Sequence, residues 1–131
     1  MYKRQEGWRV ASDEDWKNLE KALGMSLKEA DKEGWRGGNV ATLMMQKEEG
    51  TGFALQLSGC AWQNGAYDKD IHLNSVNEYG YFWTSTEDKD NELAVSTVWF
   101  RKIFATQSTV YRGTSPLDIL MRVRCCRDAQ K

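Results

Sequence analysis

Apolar residues recur at helical spacing in the first third of the chain and at period two after that. Ser12 reads as an N-cap with acids at the next three positions, and Trp16, Leu19, Ala22 and Leu23 share one stripe until Gly24 offers a left-handed stop. The acids of that first turn suit the positive end of the helix dipole. Ser26 with Glu29 repeats the capping-box pattern and predicts a short second helix through about Lys32, ended by Gly34. Asn39 opens a third helical stretch with Val40, Leu43 and Met44 on one face, before the charged, glycine-rich run 47–52 breaks the pattern.

Strand signals follow. Phe53, Leu55 and Leu57 alternate with Ala54, Gln56 and Ser58 and predict a half-buried strand, and Asn64-Gly65 marks a tight turn. Tyr81, Trp83 and Ser85 lie on one face of the next strand and Phe82 and Thr84 on the other, which predicts a central position. Residues 93–102 and 106–111 read as a paired ribbon. In the last strand Met121, Val123 and Cys125 alternate with Arg122, Arg124 and Cys126 and should close the sheet. Helices first and strands afterwards give an α+β fold, N-terminal helices on a mostly antiparallel twisted sheet, in a single domain over 1–131.

Composition adds less. A chain of 131 residues buries roughly two thirds of its unfolded surface without staples. A formal net charge of −1 gives no general pull toward nucleic acid, and no apolar run approaches the ~20 residues a spanning helix needs. Neither nucleic-acid binding nor membrane insertion is expected, and the chain starts without a signal-peptide pattern. Charge is uneven: residues 61–100 hold seven acids against two lysines, and residues 101–131 hold seven bases against two acids. Neutralisation between neighbouring strands is the plain reading, and an ion-binding face the alternative.

Candidate chemistry is sparse. Cys60, Cys125 and Cys126 form no CxxC and sit far from His72, the only histidine, so no metal site or cofactor is expected. The thiols are expected to be free, with a bridge from Cys60 to one of the tail pair as the alternative in an exported protein. Asp68, Asp70, Asp88, Asp90, Asn91 and Glu92 read as solvated acidic loops rather than a calcium site. Ser85 and His72 lack the surroundings of a nucleophile elbow, so no catalytic residues are assigned and an enzyme is not expected. Trp62, Tyr67, Asn91, Trp99, Arg101 and Tyr111 combine aromatic surface with amides and charges in predicted loops and edge strands, and are the candidate ligand contacts; core packing is the competing reading for each aromatic.

Three stretches carry a family resemblance: Gly7-Trp8-Arg9-Val10-Ala11-Ser12-Asp13-Glu14-Asp15-Trp16, the run 79–87 with Tyr81-Phe82-Trp83-Thr84-Ser85-Thr86-Glu87, and Val123-Arg124-Cys125-Cys126-Arg127-Asp128. With Gly34-Trp35-Arg36-Gly37 and Gly52-Phe53 between them, the chain resembles the Fibrobacter succinogenes major paralogous domain over about 7–128. It departs from the family pattern at Ala11, Cys60 and Cys126. The resemblance implies a C-type lectin-like fold, distantly similar to formylglycine-generating enzymes and to retroelement variable proteins. It implies a framework of Trp8, Trp16, Phe53, Trp83, Glu87 and Arg124, with Glu87 pairing to Arg124 or to loop backbone. It also implies an extracellular or cell-surface binding module for a glycan or surface protein, with a structural domain of a larger bacterial surface assembly as the alternative. Diversification of Asn91, Trp99, Arg101, Thr109 and Tyr111 is a further implication of the retroelement likeness.

Overall fold

A reciprocal capping box fixes the entry into the fold. In the computed structural model, which describes residues 7–47, 50–51, 53–57, 59–62, 72–74, 77–90, 95–116 and 119–127, the Asp15 N–H donates to the Ser12 hydroxyl and the Ser12 N–H donates to the Asp15 carboxylate at 2.8 Å. This starts helix α1 (Asp13–Ala22), which follows strand β1 (Arg9–Val10). Helix α2 (Leu27–Ala30) is capped by Ser26, and α3 (Val40–Met45) begins at Asn39, whose side chain makes no capping bond. Between them runs β2 (Gly34–Arg36). Glu29 does not close a second capping box; its carboxylate accepts the Gly37 N–H instead. Gly37 sits at φ 83°, where a side chain would be strained, and Met25 Cε, 2.8 Å from where a Cβ would sit, packs into the space it leaves.

The strands are β3 (Cys60–Trp62), β4 (His72–Asn74), β5 (Tyr79–Glu87), β6 (Thr97–Phe104), β7 (Val110–Pro116), β8 (Ile119–Leu120), β9 (Arg122–Val123) and β10 (Cys125–Cys126). The main sheet has the order β2-β7-β6-β5-β9, antiparallel throughout except for the β5–β9 pair. The expected ribbon is the β6–β7 hairpin, in register from Thr97↔Pro116 to Ile103↔Val110. A second sheet has the order β4-β3-β8, and β1 pairs with β10.

Two expectations change. Residues 53–57 form no strand: Ala54 sits at φ 48°, and the N–H groups of Ala54 and Leu55 donate to the carbonyls of Gln46 and Met44, so the segment's donors are spent at the end of α3. The single closing strand is divided, because Val123 pairs with Trp83 while Cys125 and Cys126 pair with Val10 and Arg9. The Asn64-Gly65 turn, the Asp68/Asp70 pair and residues 91–94 lie outside the described residues.

Period two gives the sheet a helix-covered inner face and an outer face. On the inner face Phe82, Ile103 and Val110 join Trp16, Met25, Ala30, Val40, Ala41, Met44 and Leu55 in one core. Trp16 lies edge-on to Phe53 at 6.4 Å and tilted against Phe82 at 5.7 Å.

Beside this core lies a buried ion cluster between α1 and the strands. Glu20, fully buried, accepts from Arg36 at 2.6 Å and from Arg101 Nε at 2.9 Å. Asp13 accepts from Arg101 at 2.6 Å and from Arg112 at 2.8 Å. The basic tail is therefore answered here by the first helix, not by the acidic block of the neighbouring strands. Burial pushes the Asp13 carboxyl up, but the Arg112 and Arg101 guanidiniums outweigh it and hold the group below its ordinary value. Arg9, with help from Ser12, lowers Asp15 strongly.

Both carboxyls are depressed in the folded state. Their contribution to stability is therefore complete above the unfolded value of 3.8 and is lost as pH falls through the folded one. Thermal midpoints taken downward from about pH 5 should drop below about pH 4, and Asp15→Asn should flatten that drop. Parallel curves for the two proteins would show that Asp15 carries none of it.

Candidate functional site

The outer face of the main sheet carries rings in register across the strands. One lateral row reads Tyr81, Lys102, Tyr111, Trp35, from β5 through β6 and β7 to β2. A second reads Val123, Trp83, Phe100, Gly113, and Tyr79 lies opposite Phe104. Ring contacts link the rows: Trp35 to Tyr111 at 5.5 Å, Tyr111 to Phe100 at 5.8 Å, Phe100 to Trp83 at 6.2 Å and Tyr79 stacked on Phe104 at 4.4 Å. Gly113 makes room for this, since a Cβ there would sit 2.7 Å from the Tyr111 ring. Phe100 is buried beneath its neighbours although it lies outside the main core, and Trp35 on the edge strand is 39% exposed.

Lys102 stands in the middle of these rings. Its Nζ lies 4.4 Å from the centroid of Tyr111, 5.5 Å from Trp35 and 5.7 Å from Tyr79. Among the described residues no carboxylate lies within ion-pair distance of it. The ring quadrupoles hold the ammonium without neutralising it.

The residues expected to touch a ligand are dispersed by the same alternation. Tyr111 joins the outer face. Trp99 lies on the inner side, where the Arg112 guanidinium covers its ring at 3.7 Å. Arg101, expected as a ligand contact, is fully buried with both carboxylate partners satisfied, which corrects that assignment. Trp62 sits at the end of β3, opposite His72 of β4, and Tyr67 and Asn91 lie outside the described residues. Trp35, Tyr79, Tyr81 and Lys102 complete the face. Their signal was alternation within β5 and β6, with Trp35 hidden in a three-residue strand.

The framework residues fall differently again. Trp16 is buried and Phe53 half-buried, whereas Trp8 is 36% exposed and Trp83 half-buried on the outer face. Arg124 covers the Phe53 ring at 4.2 Å and donates weakly to the Phe53 carbonyl, which is the expected bond to loop backbone rather than the pairing with Glu87, an exposed residue. A cleft of about 210 Å³ opens between the two ends of the chain, lined by Ala11, Asp15, Trp16, Leu19, Phe53, Arg124, Cys125 and Cys126. Its polar groups are spent on one another: Asp15 on Arg9 and Ser12, and the Cys126 thiol on Asp15 at 3.5 Å. All three cysteines are free, and burial pushes the Cys60 thiol up.

These contacts join the beginning and the end of the sequence, and residues 6–127 match the family profile described as the Fibrobacter succinogenes major domain. The chain belongs to the Fibrobacter succinogenes major domain family. No curated protein and no solved structure matches it. In this Fibrobacter succinogenes major domain the shared stretches hold one another. The Ser85 N–H donates to the Ala11 carbonyl at 3.0 Å, and the Asp13 N–H to the Thr86 hydroxyl at 2.9 Å. The Ala11 N–H donates to the Arg124 carbonyl at 2.8 Å. Ser85 and Thr86 thus leave the β6 ladder, which shifts register between Trp83 and Glu87, to anchor the chain that opens α1, while the Thr84 hydroxyl still donates to the Trp99 carbonyl of β6 at 2.8 Å.

Proposed function

We propose that this domain is a non-enzymatic binding module of an extracellular or cell-surface protein, presenting the outer sheet face to a glycan or protein ligand. The observation that carries this reading is the row Tyr81, Lys102, Tyr111 and Trp35, four ligand-capable side chains in register on one face. Aromatic faces stack on apolar sugar surfaces or anchor protein interfaces, while phenol hydroxyls and an ammonium fix orientation. Helices followed by an antiparallel sheet, with the last strands returning to the first, support reading the fold as C-type lectin-like. The non-enzymatic reading is supported by where the described acids near the core are spent: Asp13, Asp15 and Glu20 are tied to arginines.

A glycan array probed with the purified domain and with Trp35→Ala tests this. Saturable binding that Trp35→Ala weakens about tenfold or more, with stability held within ~1 kcal/mol, is the expected result. A blank array together with concentration-dependent self-association would instead favour an assembly domain, for which the edge position of Trp35 is equally suited.

A further inference from the structure

We infer that the ligand is acidic, a uronate-bearing glycan whose carboxylate sits on Lys102; this rests on the binding role proposed above and narrows it. Elsewhere in the molecule the buried cations are matched by carboxylates, Arg36 and Arg101 by Glu20 and Arg112 by Asp13. Lys102 differs: it lies between Tyr81 and Tyr111 in the same row, with rings on several sides and no carboxylate partner among the described residues. Half-buried rings lower the local dielectric, so a carboxylate arriving there gains more than it would at a fully wet lysine. A carboxylate on a ligand would complete the site.

The shape of the face favours a sugar chain over an acidic peptide. The row crosses three strand spacings, about 14 Å, the reach of a short oligosaccharide. A protein interface would need roughly 800 Å² per partner around an apolar centre, whereas among the described residues of this face only Trp35 and Val123 are exposed large hydrophobics, at 39% and 40%. Polar groups belong to the rings themselves instead, in the Tyr79, Tyr81 and Tyr111 phenols. Pyranose rings would stack on Trp35 and Tyr111, with the acid group turned to the ammonium.

Calorimetric titration with oligomers of galacturonate, glucuronate and mannuronate, with their methyl esters, and with poly-L-glutamate tests this. At least one uronate should bind the wild type, roughly tenfold to a hundredfold tighter than its uncharged ester. Lys102→Met should bring the acid down to the level at which the same variant binds the ester. Lys102→Arg should keep the preference, and added salt should weaken only the acid. Melting curves establish that each variant is folded; should Lys102→Met fail to fold, Lys102→Arg and the salt series decide. Equal binding of acid and ester, a preference that survives Lys102→Met, tighter binding of poly-L-glutamate, or no uronate binding at all would overturn the inference. Neutral glycans that bind and are lost with Trp35→Ala would overturn the acidic ligand alone, whereas an array indifferent to every glycan would remove the binding role itself.

Discussion

Glu20→Ala should cost about 3 to 5 kcal/mol of folding stability, the loss expected when one partner of a buried ion pair is removed. Glu20 has no solvent access and accepts from both Arg36 and Arg101, which are themselves buried. Its removal leaves two guanidiniums facing each other across a site with little water, and only Asp13 remains to offset one of them. A domain of this size has a total stability of roughly 5 to 15 kcal/mol, so the variant should unfold at far lower urea. Glu14, on the same helix but exposed, is the control: Glu14→Ala should stay within about 0.5 kcal/mol. Equal urea midpoints for the two variants would mean that the cluster does not hold α1 to the sheet.

Trp16→Ala should cost about as much, roughly 3 to 5 kcal/mol, by a different mechanism. Trp16 is 2% exposed and packs against both Phe53 and Phe82, the points where the helix meets the loop after α3 and strand β5. Truncation opens a void that the surrounding sheet is too stiff to fill. Trp83→Ala is the informative comparison, since the Tyr-Phe-Trp run invites the opposite ranking. Trp83 is half-buried on the outer face and touches Phe100, so its loss should cost at least ~1 kcal/mol less than that of Trp16. Urea denaturation of both variants gives the ranking directly.

Helix starts, the β6–β7 ribbon and the α+β order were legible in the sequence because each is set by neighbours along the chain. Ser12 finds its partner three residues away, and strong alternation marks β5 and β6 as strands. Which face of those strands the helices cover was not legible. In β6 one face holds Thr97, Trp99, Arg101 and Ile103, and the other Val98, Phe100, Lys102 and Phe104, each with one cation among apolar residues. Nothing local says that Arg101 goes inside and Lys102 outside. The decision is made by Asp13 and Glu20, some eighty residues earlier on α1. For the same reason Trp99 and Tyr111, similar in sequence setting, end on opposite faces. Trp35 was recognised as part of a shared Gly-Trp-Arg-Gly stretch, but its role at the sheet edge depends on the register with Tyr111.

The measurement that bears most directly on the outer face as the binding surface is the two-dimensional NMR spectrum of the tryptophan indoles, recorded during titration with the glycan that binds most strongly on the array. The six tryptophans give six reporters distributed over the fold. The Trp35 signal should shift first and saturate with the binding curve, while buried Trp16 and the Arg112-covered Trp99 stay in place. Saturable shifts at Trp16 or Trp99 with Trp35 unmoved would contradict this and place the ligand away from the outer sheet face.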